Sequence, residues 1–100
     1  MTTIYKYDLK VTNYQNIKIK GLKRVLSVFN QHDILVLYAL VDPESQEDTD
    51  IIVVLIGTGN KIESPVATRI GAGVLSFLGT VSQYDSKLMW HIFWCFGKEY

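Results

Sequence analysis

The sequence predicts an all-β, mainly antiparallel protein. The expected architecture is a small sandwich or partly open barrel of about seven short strands, with at most one short helix near residues 65–70. Three observations lead there. Several segments alternate apolar and polar residues with the period of two that marks a half-buried strand. Two others, Ile34 to Val41 and Ile51 to Ile56, are apolar throughout, as strands covered on both faces are. Turn-forming residues recur roughly every 8–15 residues along the chain.

The first strand is read over Ile4 to Val11, where Tyr5, Tyr7, Leu9 and Val11 share one face and Lys6, Asp8 and Lys10 the other. A turn-like stretch, Thr12 to Asn16, leads to a second strand of the same kind, Ile17-Lys18-Ile19-Lys20. Val25 to Phe29 forms the third strand, and Asn30-Gln31-His32-Asp33 is a hairpin connection into the fourth, Ile34 to Val41. Asp42-Pro43 ends it, and Glu44 to Asp50 carries four acids and no base, which reads as a solvated loop. The fifth strand, Ile51 to Ile56, stops at Gly57-Thr58-Gly59-Asn60. Ser64-Pro65 has the form of a helix start, with Ser64 as N-cap, and Gly71 and Gly73 keep that helix short. Leu75 to Gln83 and Lys87 to Phe96 make the final pair about the compact turn Tyr84-Asp85-Ser86.

One hundred residues, 48% of them apolar and 12% aromatic, suit a single domain over residues 1–100 with enough material for a core, which excludes a disordered chain. The lone Cys95 makes no intramolecular disulfide, so the expected compartment is a reducing cytoplasm. The N-terminal stretch alternates in polarity and reads as strand, not signal peptide. No apolar run reaches the ~18–20 residues of a membrane span, so no membrane partner is expected.

Zero net charge argues against a uniformly basic nucleic-acid binder. The zero hides two poles: residues 1–24 hold Lys6, Lys10, Lys18, Lys20, Lys23 and Arg24 against Asp8, whereas residues 25–50 hold six acids and no base. The six bases, with Glu44, Glu47 and Asp48 from the acidic pole, are the candidate partner-binding residues. Tyr5, Tyr7 and Tyr14 among the lysines give the mixture of cations and stacking rings used on single-stranded nucleic acid. In a half-buried strand, however, the tyrosines turn to the core and the lysines guard a sheet edge.

Gly57-Thr58-Gly59 at a strand end is a candidate ligand turn, although the spacing of neither a dinucleotide-binding loop nor a P-loop is present. His91 lacks a local nucleophile or orienting acid, and its expected role is that of a histidine satisfied by a backbone group in the sheet. Two histidines and one cysteine at wide spacing miss the common zinc patterns, and the acids from Asp42 to Asp50 lack the EF-hand order. No catalytic residue, metal or cofactor is therefore expected. Two strands apolar on both faces, plus Trp90, Phe93, Trp94 and Phe96, exceed what one small sandwich covers. Either the 64–74 segment folds back as a lid or a second subunit covers them, and a homodimer is favoured, with those four aromatics as the candidate oligomer surface.

Five segments occur in a consistent order: Ile4-Tyr5-Lys6-Tyr7 with Val11-Thr12 and Gln15; Ala39-Leu40-Val41-Asp42-Pro43; Gly57-Thr58-Gly59; Gly79-Thr80-Val81; and Leu88-Met89-Trp90-His91-Ile92-Phe93. Together they resemble a family of small proteins encoded mostly by bacteriophages and prophages, a domain of unknown function. The resemblance implies a phage accessory protein made in the cytoplasm of a bacterial host. The expected function is non-enzymatic binding and modulation of a host or anti-phage-defence protein. The alternatives are a nucleic-acid or nucleotide-binding β-module and a minor structural protein of the virion.

Overall fold

The computed structural model describes all 100 residues. Seven strands follow one another as β1 (Thr3–Asp8), β2 (Gln15–Lys20), β3 (Leu22–Gln31), β4 (Ile34–Val41), β5 (Asp48–Gly57), β6 (Ser76–Gln83) and β7 (Leu88–Phe96). A single α-helix, α1 (Ser64–Gly71), lies between β5 and β6, and a 3-10 turn (Gly97–Glu99) follows β7. The strands form two antiparallel sheets, β1-β4-β3 and β2-β5-β7-β6, and no barrel closes.

Residues 15–57 make one long hairpin folded over on itself. β2 pairs with β5 and β3 with β4, so the two arms of the hairpin belong half to one sheet and half to the other. The fold line is Gly21, the one residue between β2 and β3. Its N–H donates to the Glu47 carbonyl and its carbonyl accepts from the Asp42 N–H, each at 2.8 Å, so the ladder continues round the corner. Residues 43–46 loop out opposite it. Gly21 has a φ of +68°, and a Cβ there would be driven into the Asp42 carbonyl oxygen. Only glycine meets both conditions.

The hairpin tip is equally specified. His32 and Asp33 both take positive φ, 53° and 64°, as a two-residue turn between right-twisted strands requires. Asn30 accepts from the Asp33 N–H at 2.7 Å through its side-chain oxygen, and its amide donates to the Ser82 carbonyl. Gln83 Nε2 donates to the Asp33 carbonyl at 2.7 Å, and the Tyr84 N–H donates to Asp33 Oδ1 at 2.9 Å. These bonds tie the β3–β4 tip to the β6–β7 turn. They hold β3 against β6, where the Val28 side chain occupies the space a Cβ on Gly79 would need.

The core lies between the sheets. Leu35, Leu37, Ala39 and Val41 of β4 face Ile51, Val53 and Leu55 of β5, with Leu9, Ile19, Val25 and Ile92 completing a cluster in which every member is buried. Burying each Val, Leu or Ile side chain of this cluster contributes roughly 1.5–3 kcal/mol. The other face of β5 is covered as well. Ile52 and Val54 pack with Leu75 and Cys95 beneath Val66 and Ile70 of α1. The 64–74 segment is thus the lid, and the doubly apolar character of β5 needs no second subunit. Trp90, Trp94 and Phe96 also pack against the inter-sheet core, and of the four aromatics expected at an oligomer surface only Phe93 faces outward, partly buried beside the lid.

Several boundaries shift. The first strand ends at Asp8, not Val11, while the third runs on to Gln31. Asp48, Thr49 and Asp50, expected in a solvated loop, begin β5, because Lys20 and Lys18 stand opposite Asp48 and Asp50 in the register. Glu63, not Ser64, is the N-cap of α1 and makes no side-chain capping bond, although Pro65 sits in the first turn as expected.

The corner predicts a sharp contrast between glycines. Gly21→Ala should lower the free energy of unfolding by more than about 3 kcal/mol, from left-handed strain plus a backbone clash. Gly71→Ala, at a helix end with open space around it, should change it by less than about 1 kcal/mol. Urea unfolding of both variants is the check, and equal effects would contradict the role given to Gly21.

Candidate functional site

The two outer faces of the sandwich differ in kind. On the β2-β5-β7-β6 sheet, α1 and Leu75 cover the middle strands. On the β1-β4-β3 sheet nothing is layered. Cross-strand partners share a face, so Ile4 and Leu40, Lys6 and Tyr38, and Phe29 and Val36 all stand on that bare side. Ile4 is 56% exposed, Phe29 57% and Ile34 50%, large values for apolar side chains on one face of a sheet.

Val36 on the same face is fully buried without a covering element. Lys6 Nζ donates to Gln31 Oε1 at 2.7 Å, a bridge from β1 to β3 that spans β4. Lys6 pairs with Tyr38 and Gln31 with Ile34, so the bridge crosses at the level of Val36. The lysine stem covers apolar surface while its ammonium keeps a polar partner.

The candidate partner-binding charges are not gathered. Lys6 and Arg24 lie on the bare face, and Lys18 and Lys20 on the outer face of the other sheet, opposite Asp50 and Asp48. Lys10 sits in the β1–β2 connection, and Lys23 is the residue skipped by a bulge in β3 beside the acidic loop. In that loop the Glu44 N–H donates to Asp42 Oδ1 at 3.0 Å and the Glu47 N–H to Ser45 Oγ at 3.1 Å. No three His, Cys, Asp or Glu side chains converge there or elsewhere at metal-binding distance. The basic and acidic poles of the sequence meet along β2 and β5 as alternating neighbours.

The Gly57-Thr58-Gly59 turn has a different partner from the one its glycines suggest. Thr58 Oγ1 lies 2.7 Å from His91 Nε2, and Thr80 Oγ1 lies 3.1 Å from His91 Nδ1. Each hydroxyl can donate or accept, so either tautomer of His91 is satisfied. His91 is held by two threonine hydroxyls, not by the backbone group expected. The strand register makes Thr80 its direct partner, a pairing invisible before the register is known.

Gly57, but neither Thr58 nor Gly59, lines a cavity of about 200 Å³ between the β1–β2 connection, the end of β5 and residues 60–66. Tyr14 and Tyr100 form its aromatic wall, their rings edge to face with centroids 5.2 Å apart. The Arg69 guanidinium lies 4.2 Å from the Tyr100 ring centroid, and its Nε donates to the Tyr100 carbonyl at 2.8 Å.

The geometry defines a two-sheet antiparallel sandwich with one clothed outer face and one bare one. Residues 1–96 match the family described as a domain of unknown function, DUF7352, and the chain belongs to that family. No curated protein and no solved structure matches it. No helix of the chain is long and apolar enough to cross a membrane.

Two ionisable groups, the buried Cys95 and the partly buried Tyr7, give the fold an alkaline limit. Burial pushes the Cys95 thiol up, Glu99 adds to the rise and Arg69 opposes it. Burial likewise raises the Tyr7 phenol, with a smaller contribution from Tyr5. A raised pKa means the folded state holds the proton more tightly, so stability is level below the ordinary thiol value of about 8.5 and falls as the unfolded chain ionises above it. Urea midpoints from pH 7 to pH 11 should fall above that point, and Cys95→Ala should remove the earlier part of the fall. A flat profile would contradict this.

Proposed function

We propose that this chain is a small, non-enzymatic accessory protein of bacteriophage or prophage origin, acting in the bacterial cytoplasm by binding and modulating a host or defence protein. The observation that carries this is the bare face of the β1-β4-β3 sheet. The helix α1 covers one outer face, whereas Ile4, Phe29 and Ile34 stand uncovered on the other. Large exposed apolar groups on one face of a rigid sheet, Phe29 beside Ile34 at one end and Ile4 toward the other, with Lys6 and Arg24 on the same face, mark an interaction site for another macromolecule. Occupying a partner's surface needs only a stable scaffold and such a patch. The resemblance to phage and prophage proteins supplies the setting. A nucleic-acid role is less well supported, because the lysines are divided between opposite faces and alternate with acids along β2 and β5.

Affinity purification of the tagged chain from bacterial cells, with quantitative mass spectrometry, tests the proposal. The wild-type chain should recover one protein in stoichiometric amount that resists raised salt. Phe29→Lys and Ile34→Lys, both at exposed strand positions that lysine tolerates, should reduce its recovery at least tenfold while leaving the melting temperature within a few degrees. Recovery of no stoichiometric partner, or equal recovery by the variants, would overturn it.

A further inference from the structure

We infer that a second copy of this chain docks on the free edge of β1, antiparallel to it, so that the two β1-β4-β3 sheets join into one six-stranded sheet. Four strands lie at sheet edges: β1, β3, β2 and β6. β3 and β6 turn toward each other and are tied by the Asn30–Ser82 bond and the bonds of Asp33. β2 carries Lys18 and Lys20 at successive outward positions, so pairing it with a copy of itself sets like charges close together, a recognised guard against edge association.

Within Thr3–Asp8 β1 has no such guard; only past its end, at Lys10, does the Gln15 side chain occupy the edge by bonding both backbone groups. The Leu9 N–H donates to the Leu35 carbonyl at 2.8 Å, which turns the backbone groups of the alternate residues Ile4, Lys6 and Asp8 away from β4 toward the open side. Lys6, the one cation in the strand, is drawn over the face of the sheet to Gln31 and does not block that edge. Neither Lys6 nor Asp8 takes part in an ion pair within the chain.

Charge selects the register. Pairing centred on Lys6 would set lysine against lysine, whereas pairing centred on Tyr7 sets each Lys6 directly opposite Asp8 of the other copy, twice over by symmetry. Both side chains stand on the outer face; Lys6 exchanges its Gln31 bond for Asp8 of the other copy, and opposite charges directly across a pair of strands stabilise the pairing. In this register Lys6 and Asp8 exchange backbone hydrogen bonds. The two Tyr7 rings meet at the non-hydrogen-bonded position on the two-fold axis, where side chains approach most closely. The contact is isologous and closes, as a symmetric dimer must. It differs from the aromatic surface expected from the sequence, and it stands whether or not the bare face binds a partner. Its consequence is that two bare faces lie side by side on one surface.

Sedimentation velocity from about 1 to 100 μM tests the dimer. The wild-type chain should dimerise. Asp8→Lys, which sets lysine against lysine twice, should weaken association roughly tenfold or more, as should Lys6→Asp. The double variant Lys6→Asp/Asp8→Lys restores the opposite charges and should recover most of the wild-type affinity, although it lacks the Lys6–Gln31 bond. Phe29→Lys, off the β1 edge, should dimerise as the wild type does, which separates this contact from the partner-binding face. A wild-type chain that remains monomeric at 100 μM would overturn the inference, as would an Asp8→Lys chain that dimerises normally or a folded double variant that fails to recover. Thermal melting of each variant establishes that it is folded.

Discussion

Everything in this fold depends on one hydrogen-bonded corner. At Gly21 the backbone leaves one sheet and enters the other without breaking its ladder, held by the Glu47 carbonyl on one side and the Asp42 N–H on the other. Because the arms of the 15–57 hairpin are continuous through that point, the inward residues of β4 and those of β5 are brought face to face by the fold line itself. The core is therefore built largely from neighbours along one hairpin. β1 and the β6–β7 pair add to edges already in place.

The same corner decides which surfaces are available. Folding the hairpin gives each sheet an outer face, and the chain after β5 supplies α1, Leu75 and the C-terminal turn to one of them. No strand or helix lies over the other, and β1 adds Ile4 to the apolar groups already on it. The Lys6–Gln31 bridge is a local adjustment to that exposure: it shelters Val36 and leaves Phe29 and Ile34 open. Binding surface and free edge thus lie on the same small sheet, which the lid does not reach.

Much of this was legible in the residues. The alternation of Tyr5, Lys6, Tyr7 and Asp8, the wholly apolar Ile34 to Val41 and the Ser64-Pro65 helix start each gave an element in its place, because each follows from a short-range rule. The 42–50 segment did not yield, since whether Asp48 and Asp50 enter a strand depends on the lysines they meet across it. The aromatics of β7 misled for a related reason. A period of two says that Trp90, Trp94 and Phe96 share a side, but not which side is the core until β5 is set beside them. The Thr58–His91–Thr80 cluster and the bare face also depend on long-range pairing and carry no local signature. Gly21, directly after the alternating Ile17-Lys18-Ile19-Lys20, stands in the sequence as an ordinary glycine, and its role follows only from the approach of Asp42.

Residue-resolved native-state hydrogen exchange tests most directly whether the corner organises the fold. If the 15–57 hairpin is one cooperative unit, the amides of Gly21 and Asp42 will exchange as slowly as those in the centres of β4 and β5, through the global unfolding reaction. Fast exchange at Gly21 and Asp42, with β2 and β3 opening independently of each other, would show two separate hairpins joined by a loop and would contradict it.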